Sequence, residues 1–304
     1  MANQSRRKYR PKIRNPWQRL WILVWMIFVG DLIGYGVVAC LPGAQDVLVQ
    51  PPLACTEDYR NFLLTAQAII ASSAFIGAPL FYWHFIEQKQ VGHLFQWSAR
   101  YAYPMLLTVG LVGSFMVVNT VCIQWNMALK LPAFLADFEQ WARQQEAEIQ
   151  RMTALLATCD SAVDFLGGLL VLALLPAVGE ELLFRGMVQG LLCSITKSMH
   201  VAICLSALVF SAIHLQFYGL LPRFVLGALL GYVYAWTQDL AFPIVAHFFN
   251  NASALFLLFL YQPGLTGQDM SAASGLPIST IALCTVISIV LASTLRRHGK
   301  KVRA

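Results

Sequence analysis

Apolar residues run in long, nearly unbroken stretches along this chain, at about 17–41, 61–83, 102–124, 162–189, 199–216, 220–237, 240–261 and 276–295. Each approaches the ~20 residues that an α-helix needs to cross hydrocarbon. Lipid leaves only helices or closed barrels to satisfy the backbone, and continuous apolar runs lack the alternation of a barrel. The pattern therefore predicts an all-α fold, a polytopic membrane helix bundle of about eight transmembrane helices. Outside the runs, Phe134, Leu135, Phe138, Trp141 and Ala142 recur at helical spacing before Gln144, Gln145, Glu146 and Glu148. That reads as an amphipathic helix on the bundle surface, or as a solvated connector packed against it. Pro263, Gly264, Gly267 and Gly275 mark a loop over 262–275.

Composition strengthens the membrane reading. Of 304 residues, 58% are hydrophobic and 12% charged, about half the charge of an ordinary soluble domain. The charges that remain set the orientation. Arg6, Arg7, Lys8, Arg10, Lys12, Arg14 and Arg19 lie in the first 19 residues, and Arg296, Arg297, Lys300, Lys301 and Arg303 follow the last run. Basic flanks stay in the cytoplasm, so both termini are expected to be cytoplasmic. The +6 net charge is thus a topology signal, and its split between two ends of a lipid-bound chain excludes a nucleic-acid partner. No cleavable signal peptide is read, since the first run is too long. Seven cysteines include no CxxC. The expected organisation is a basic cytoplasmic arm at 1–16, N-terminal transmembrane helices at 17–124 and an extracytoplasmic amphipathic connector at 125–160. A core follows at 161–262, then the last transmembrane helix and basic tail at 263–304. Short spans suit a multi-pass protein of a bacterial inner (plasma) membrane.

One cluster stands out against this background. Glu180, Glu181 and Arg185 fall inside the fourth apolar run, where each ionised group costs about 2.5–3.5 kcal/mol on insertion scales. Residues four apart share a helix face, so Glu181 and Arg185 can pair, while Glu180 lies ~100° away and is left available. Two further runs carry Phe210 with His214, and His247 with Asn251, each pair four apart. One free carboxylate, two imidazoles and a carboxamide suffice to activate water and stabilise an oxyanion. Two His and one Glu also form a common zinc set. Asp31, Asp164 and Arg223 lie near the outer ends of their runs, where solvation or snorkelling to the interface is the simpler account.

The order Glu180-Glu181-x-x-x-Arg185, Phe210-x-x-x-His214, His247-x-x-x-Asn251 resembles the three-motif signature of the CAAX-prenyl-protease and bacteriocin-processing (CPBP, or Abi) family of intramembrane proteases. The resemblance covers about residues 160–262. It implies an intramembrane endopeptidase acting on membrane-associated peptides or protein tails, with Glu180 as general base and His214 holding the same water or a metal. His247 and Asn251 would stabilise the oxyanion, Glu181 and Arg185 would fix the helix, and Phe210 would pack beneath. Glu180, His214 and His247 are the candidate metal ligands, zinc above all, although a Glu-activated water without metal also accounts for the residues and is preferred. Two alternatives stand: a non-catalytic membrane scaffold or bacteriocin-immunity protein, and a proton-coupled transporter, against which no inverted repeat is found. The catalytic cavity is expected to open to the cytoplasm or laterally to lipid.

Overall fold

A computed structural model describes residues 13–45, 56–88, 91–95, 102–158, 161–260 and 276–303. The arm before residue 13 and the loop read at 262–275 lie outside the described residues. The described chain is an all-α polytopic membrane bundle of nine helices. In order they are α1 (Pro16–Ala39), α2 (Glu57–Glu87), α3 (Ala102–Ala128), α4 (Ala136–Ala157), α5 (Ala162–Thr196), α6 (Met199–Ala212), α7 (Leu220–Thr237), α8 (Ala241–Leu260) and α9 (Ile278–Arg303). Seven, all but α4 and α6, are long and apolar enough to span a bilayer. The fifth apolar run gives α6, whose 14 residues rise ~21 Å against a hydrocarbon core of ~30 Å. It ends early because Leu215 takes a left-handed φ of 53°, which turns the chain back into α7. A non-glycine residue in that region costs about 1–3 kcal/mol, the kind of strain that collects at functional sites.

The helices start and bend for local reasons. Asn15, Thr56, Ser161 and Ser198 each accept a backbone N–H at the N-terminus of α1, α2, α5 and α6, as N-cap residues do. Prolines lie inside two spans, Pro79 in α2 and Pro176 in α5. Each follows a wide π turn, Ser72–Gly77 and Leu169–Leu174, which absorbs the hydrogen bond that proline cannot donate. α1 docks on α2 through glycine. A Cβ on Gly34 would stand 2.8 Å from Ile70 Cα, and one on Gly30 would stand 2.8 Å from Ser73 O. The small-xxx-small spacing thus lets the two backbones meet. Gly34→Leu is expected to lower stability by about 1–3 kcal/mol, seen as a lower melting temperature in detergent; an unchanged melt would show that α1 is not held there.

Ion pairs tie both ends of the bundle. At one end Arg19 bonds to Glu87, which also accepts from Tyr82 Oη at 3.0 Å; Lys197 caps the C-terminus of α5. At the other, Arg60 on α2 reaches Asp164 on α5 at 3.2 Å and the Leu156 carbonyl on α4 at 3.3 Å. Asp164 is therefore an interhelical partner and not a solvated residue. α4 lies across this second end. Leu156 packs with Leu64 and Val171, and Phe138 meets the Phe217 ring at 5.4 Å, so the segment read at 125–160 packs on the bundle through one face. Its start is stitched by Glu139, which accepts from Leu131 N at 2.7 Å and from Arg143 Nη2 at 2.8 Å. The Leu131 N–H, then Arg143, hold this carboxyl below its ordinary 4.5. A depressed value contributes stability that is present above 4.5 and lost as pH falls through the folded value. Amide exchange at Leu131 should accelerate in that acid window, and Glu139→Gln should bring the fast exchange to neutral pH; equal exchange in both proteins would exclude the contact.

Candidate active site

Three helices bring the motif residues together. On α5, Glu181 is fully buried and Arg185 is 2% exposed, and the two pair across one turn at 2.6 Å. The same Glu181 oxygen, Oε1, also accepts from His247 Nδ1 at 2.8 Å. Glu181 is thus more than a helix clamp, because it sets the orientation of an imidazole on α8. With Nδ1 donating to Glu181, His247 Nε2 is turned toward Glu180 Oε2 at 3.8 Å. That is too long for a direct hydrogen bond, but a water set beside both atoms can bond to each. Glu180 itself keeps 16% of its side chain exposed and lines a cavity of about 530 Å³ with Tyr35, Phe62, Phe75 and Leu175. The two adjacent carboxylates therefore have different surroundings, one locked in a buried network and one facing open space.

His214 lies in the turn after α6. Its Nδ1 donates to the Phe210 carbonyl at 2.8 Å, which leaves Nε2 with a lone pair to offer. It reaches the group through Phe210, whose ring lies 5.2 Å from the His214 ring, 6.0 Å from the His247 ring and 5.3 Å from the Phe184 ring. The Arg185 guanidinium stands 5.2 Å from the Phe210 ring centroid, a cation–π arrangement. Asn251 follows His247 by one turn and accepts from Asn250 Nδ2 at 3.2 Å. It is Asn250, however, that lines a second cavity of about 440 Å³, together with Arg223 and Glu146.

Several residues that spacing did not single out support this arrangement. Arg185 Nη2 donates to the Gly227 carbonyl at 2.7 Å, and Gln189, one turn on, donates to the Gly231 carbonyl at 3.2 Å. A Cβ on Gly231 would meet Ile203 at 2.9 Å, and one on Gly227 would meet Phe210 at 3.0 Å. Two glycines four apart on α7 thus admit α6 on one side and expose carbonyls to α5 on the other. Gly179, next to Glu180, serves the approach of α2, since a Cβ there would stand 2.8 Å from Phe75 Cβ. The matched i,i+4 pairs Arg185/Gln189 and Gly227/Gly231 were the available signal in the sequence. Arg223 does not snorkel to an interface. It bonds with the Gln216 side chain, which in turn donates to Glu146.

Among the described residues, no three His, Cys, Asp or Glu side chains converge closely enough to hold a metal ion. Glu180, His214 and His247 are therefore not gathered into a ligand set. Helix α4 contributes to the walls of both cavities. Met152 and Leu156 of α4 wall the Glu180 cavity, and Glu146 and Gln150 of α4 wall the second. Both lie toward the end that α4 covers, away from Arg19, Lys197 and Arg296. α5 runs on to Thr196, well past 189, which leaves Glu180 near mid-helix and closer to α4 than the sequence suggested.

Comparison with known proteins falls on the same segment. Residues 162–253 match the family described as Type II CAAX prenyl endopeptidase Rce1-like. The chain is also 33% identical over 88 residues to the uncharacterized protein YpbD of Bacillus subtilis (strain 168), a stretch that is 28% of this chain and 42% of YpbD. The match therefore spans less than half the length of that curated relative. No solved structure matches the chain. The motifs and the buried network they form fall within residues 162–253, the stretch of this membrane protein that is similar to the Rce1-like family.

Proposed function

We propose that the chain is an intramembrane endopeptidase in which Glu180 activates water against peptide bonds of membrane-associated peptides or protein tails. The observation that carries this reading is the sharing of Glu181 Oε1 between Arg185 and His247. It commits one carboxylate to structure and leaves the other, Glu180, at the wall of a cavity beside His247 Nε2. A carboxylate in that position can take a proton from water. The resulting hydroxide adds to the scissile carbonyl carbon, the carbonyl becomes an oxyanion, and Glu180 returns the proton to the leaving amine as the C–N bond breaks. His214 offers Nε2 to hold the water. His247, when its Nε2 carries a proton, and the Asn251 carboxamide donate to the oxyanion.

With the basic ends in the cytoplasm, α4 and both cavities lie toward the extracytoplasmic side, in a bacterial inner membrane or its equivalent. The test is hydrolysis of a mixed peptide library by the purified protein in lipid nanodiscs. Cleavage by wild type and none by Glu180→Gln is the expected result. Equal cleavage by both would remove Glu180 from the chemistry, and none by either would remove the endopeptidase reading.

A further inference from the structure

The second cavity holds an unusual set of polar atoms for a membrane protein. Among the described residues, the buried side-chain atoms without a hydrogen-bond partner include Arg223 Nη1, Glu146 Oε2 and Asn119 Oδ1, and all three residues line this one cavity of about 440 Å³. An unpaired buried polar group costs about 1–3 kcal/mol, and more when charged, so three at one place point to a partner that the protein itself does not supply. The atoms are held in position. Glu146, 8% exposed, accepts from Gln216 Nε2 at 3.2 Å and from Gln150 Nε2 at 3.3 Å through its other oxygen. Gln216 Oε1 in turn receives Arg223 Nη2, and Asn119 Nδ2 donates to the Pro222 carbonyl at 3.4 Å. One end of each side chain is fixed and the other is buried at the cavity wall without a hydrogen-bond partner.

The chemistry of the set selects its ligand. A free carboxylate would suit Arg223 but would be repelled by Glu146, and an ammonium would meet the opposite conflict. A neutral group that both accepts and donates satisfies the set without conflict, and the main-chain amide of an extended peptide is such a group. The position fits a substrate as well. Asn250 in the wall adjoins Asn251 on α8. α4 walls both this polar cavity and the mainly apolar one that holds Glu180.

We infer that the cavity between α3, α4, α7 and α8 is a substrate subsite that reads the peptide main chain on one side of the scissile bond. Arg223 donates to a peptide carbonyl there, and Glu146 and Asn119 accept from peptide N–H groups. The inference rests on the endopeptidase reading for its place in catalysis, but it concerns binding and can be tested without turnover. It implies substrates that are apolar on the side next to the Glu180 cavity and extended, with accessible amides, on the other.

The experiment uses the full-length Glu180→Gln protein in nanodiscs and thermophoresis with acetyl-Leu-Leu-Phe-Ala-Ser-Ala-amide as the probe. Companion probes carry a free C-terminal carboxylate, a free N-terminal amine, or an ester in place of one amide in the Ala-Ser-Ala half. The blocked peptide should bind at least as tightly as the free-ended ones. Arg223→Met and Glu146→Leu should each weaken it by roughly tenfold, the scale of a hydrogen bond to a charged group. The ester scan needs no change in the cavity, so it stands even if a variant folds poorly. One ester position should weaken binding when Glu146 is present and lose that effect in Glu146→Leu. Failure of the probe to bind, equal binding by all variants, or tighter Arg223-dependent binding of the free carboxylate would each overturn the inference. Binding as expected by a protein whose wild type cleaves nothing would retain the subsite and remove the endopeptidase reading.

Discussion

Arg185→Leu lowers the stability of the bundle by about 3–5 kcal/mol, the cost of breaking a buried pair by removing one partner. The size follows from what the guanidinium holds. It neutralises a fully buried Glu181, donates to the Gly227 carbonyl and lies over the Phe210 ring. Without it, Glu181 keeps only the His247 contact among those described, with Oε2 already lacking a hydrogen-bond partner. The cost is that of an uncompensated charge more than of the lost pair, so Glu181→Leu added to Arg185→Leu should recover a large part of it. Thermal unfolding in detergent reads both effects. A single variant that melts like wild type would mean that Glu181 and Arg185 are not the clamp between α5 and α7.

Glu180→Gln has the opposite profile. It should lower peptide turnover by about 10²–10⁴, the range supplied by a positioned general base, and leave the melting temperature unchanged, because the Glu180 side chain keeps contact with a cavity. Glu181→Gln should cost stability and also slow turnover by releasing the His247 ring. Measured on one library peptide, the pair of variants separates the roles. Full turnover by Glu180→Gln would assign the base elsewhere.

How much of this was legible in the sequence depended on distance along the chain. The helices were, because hydrocarbon imposes a long apolar run wherever the chain crosses. The Glu181–Arg185 pair was too, since both partners sit on one helix. Contacts between helices were not. The sharing of Glu181 with His247 joins α5 to α8, and nothing in either motif alone implies it. Asp164 and Arg223 were read as interface residues because their partners, Arg60 and Gln216, lie on other elements or beyond a turn. α6 is shorter than its apolar run, 199–216, because the left-handed Leu215 and the unwound residues before it end the helix sooner. Gln189, Gly227 and Gly231 carried a visible spacing, but the spacing gained meaning only when α5 and α7 were seen side by side.

The central claim is that Glu180 makes this membrane protein a protease. It is tested most directly by comparing new peptide termini in membranes of cells that express wild type or Glu180→Gln at equal levels. The account predicts a set of termini present with wild type and absent with the variant, which would also name the substrate. Identical termini in both, with Glu180→Gln restoring whatever phenotype a deletion causes, would contradict it and favour a membrane scaffold.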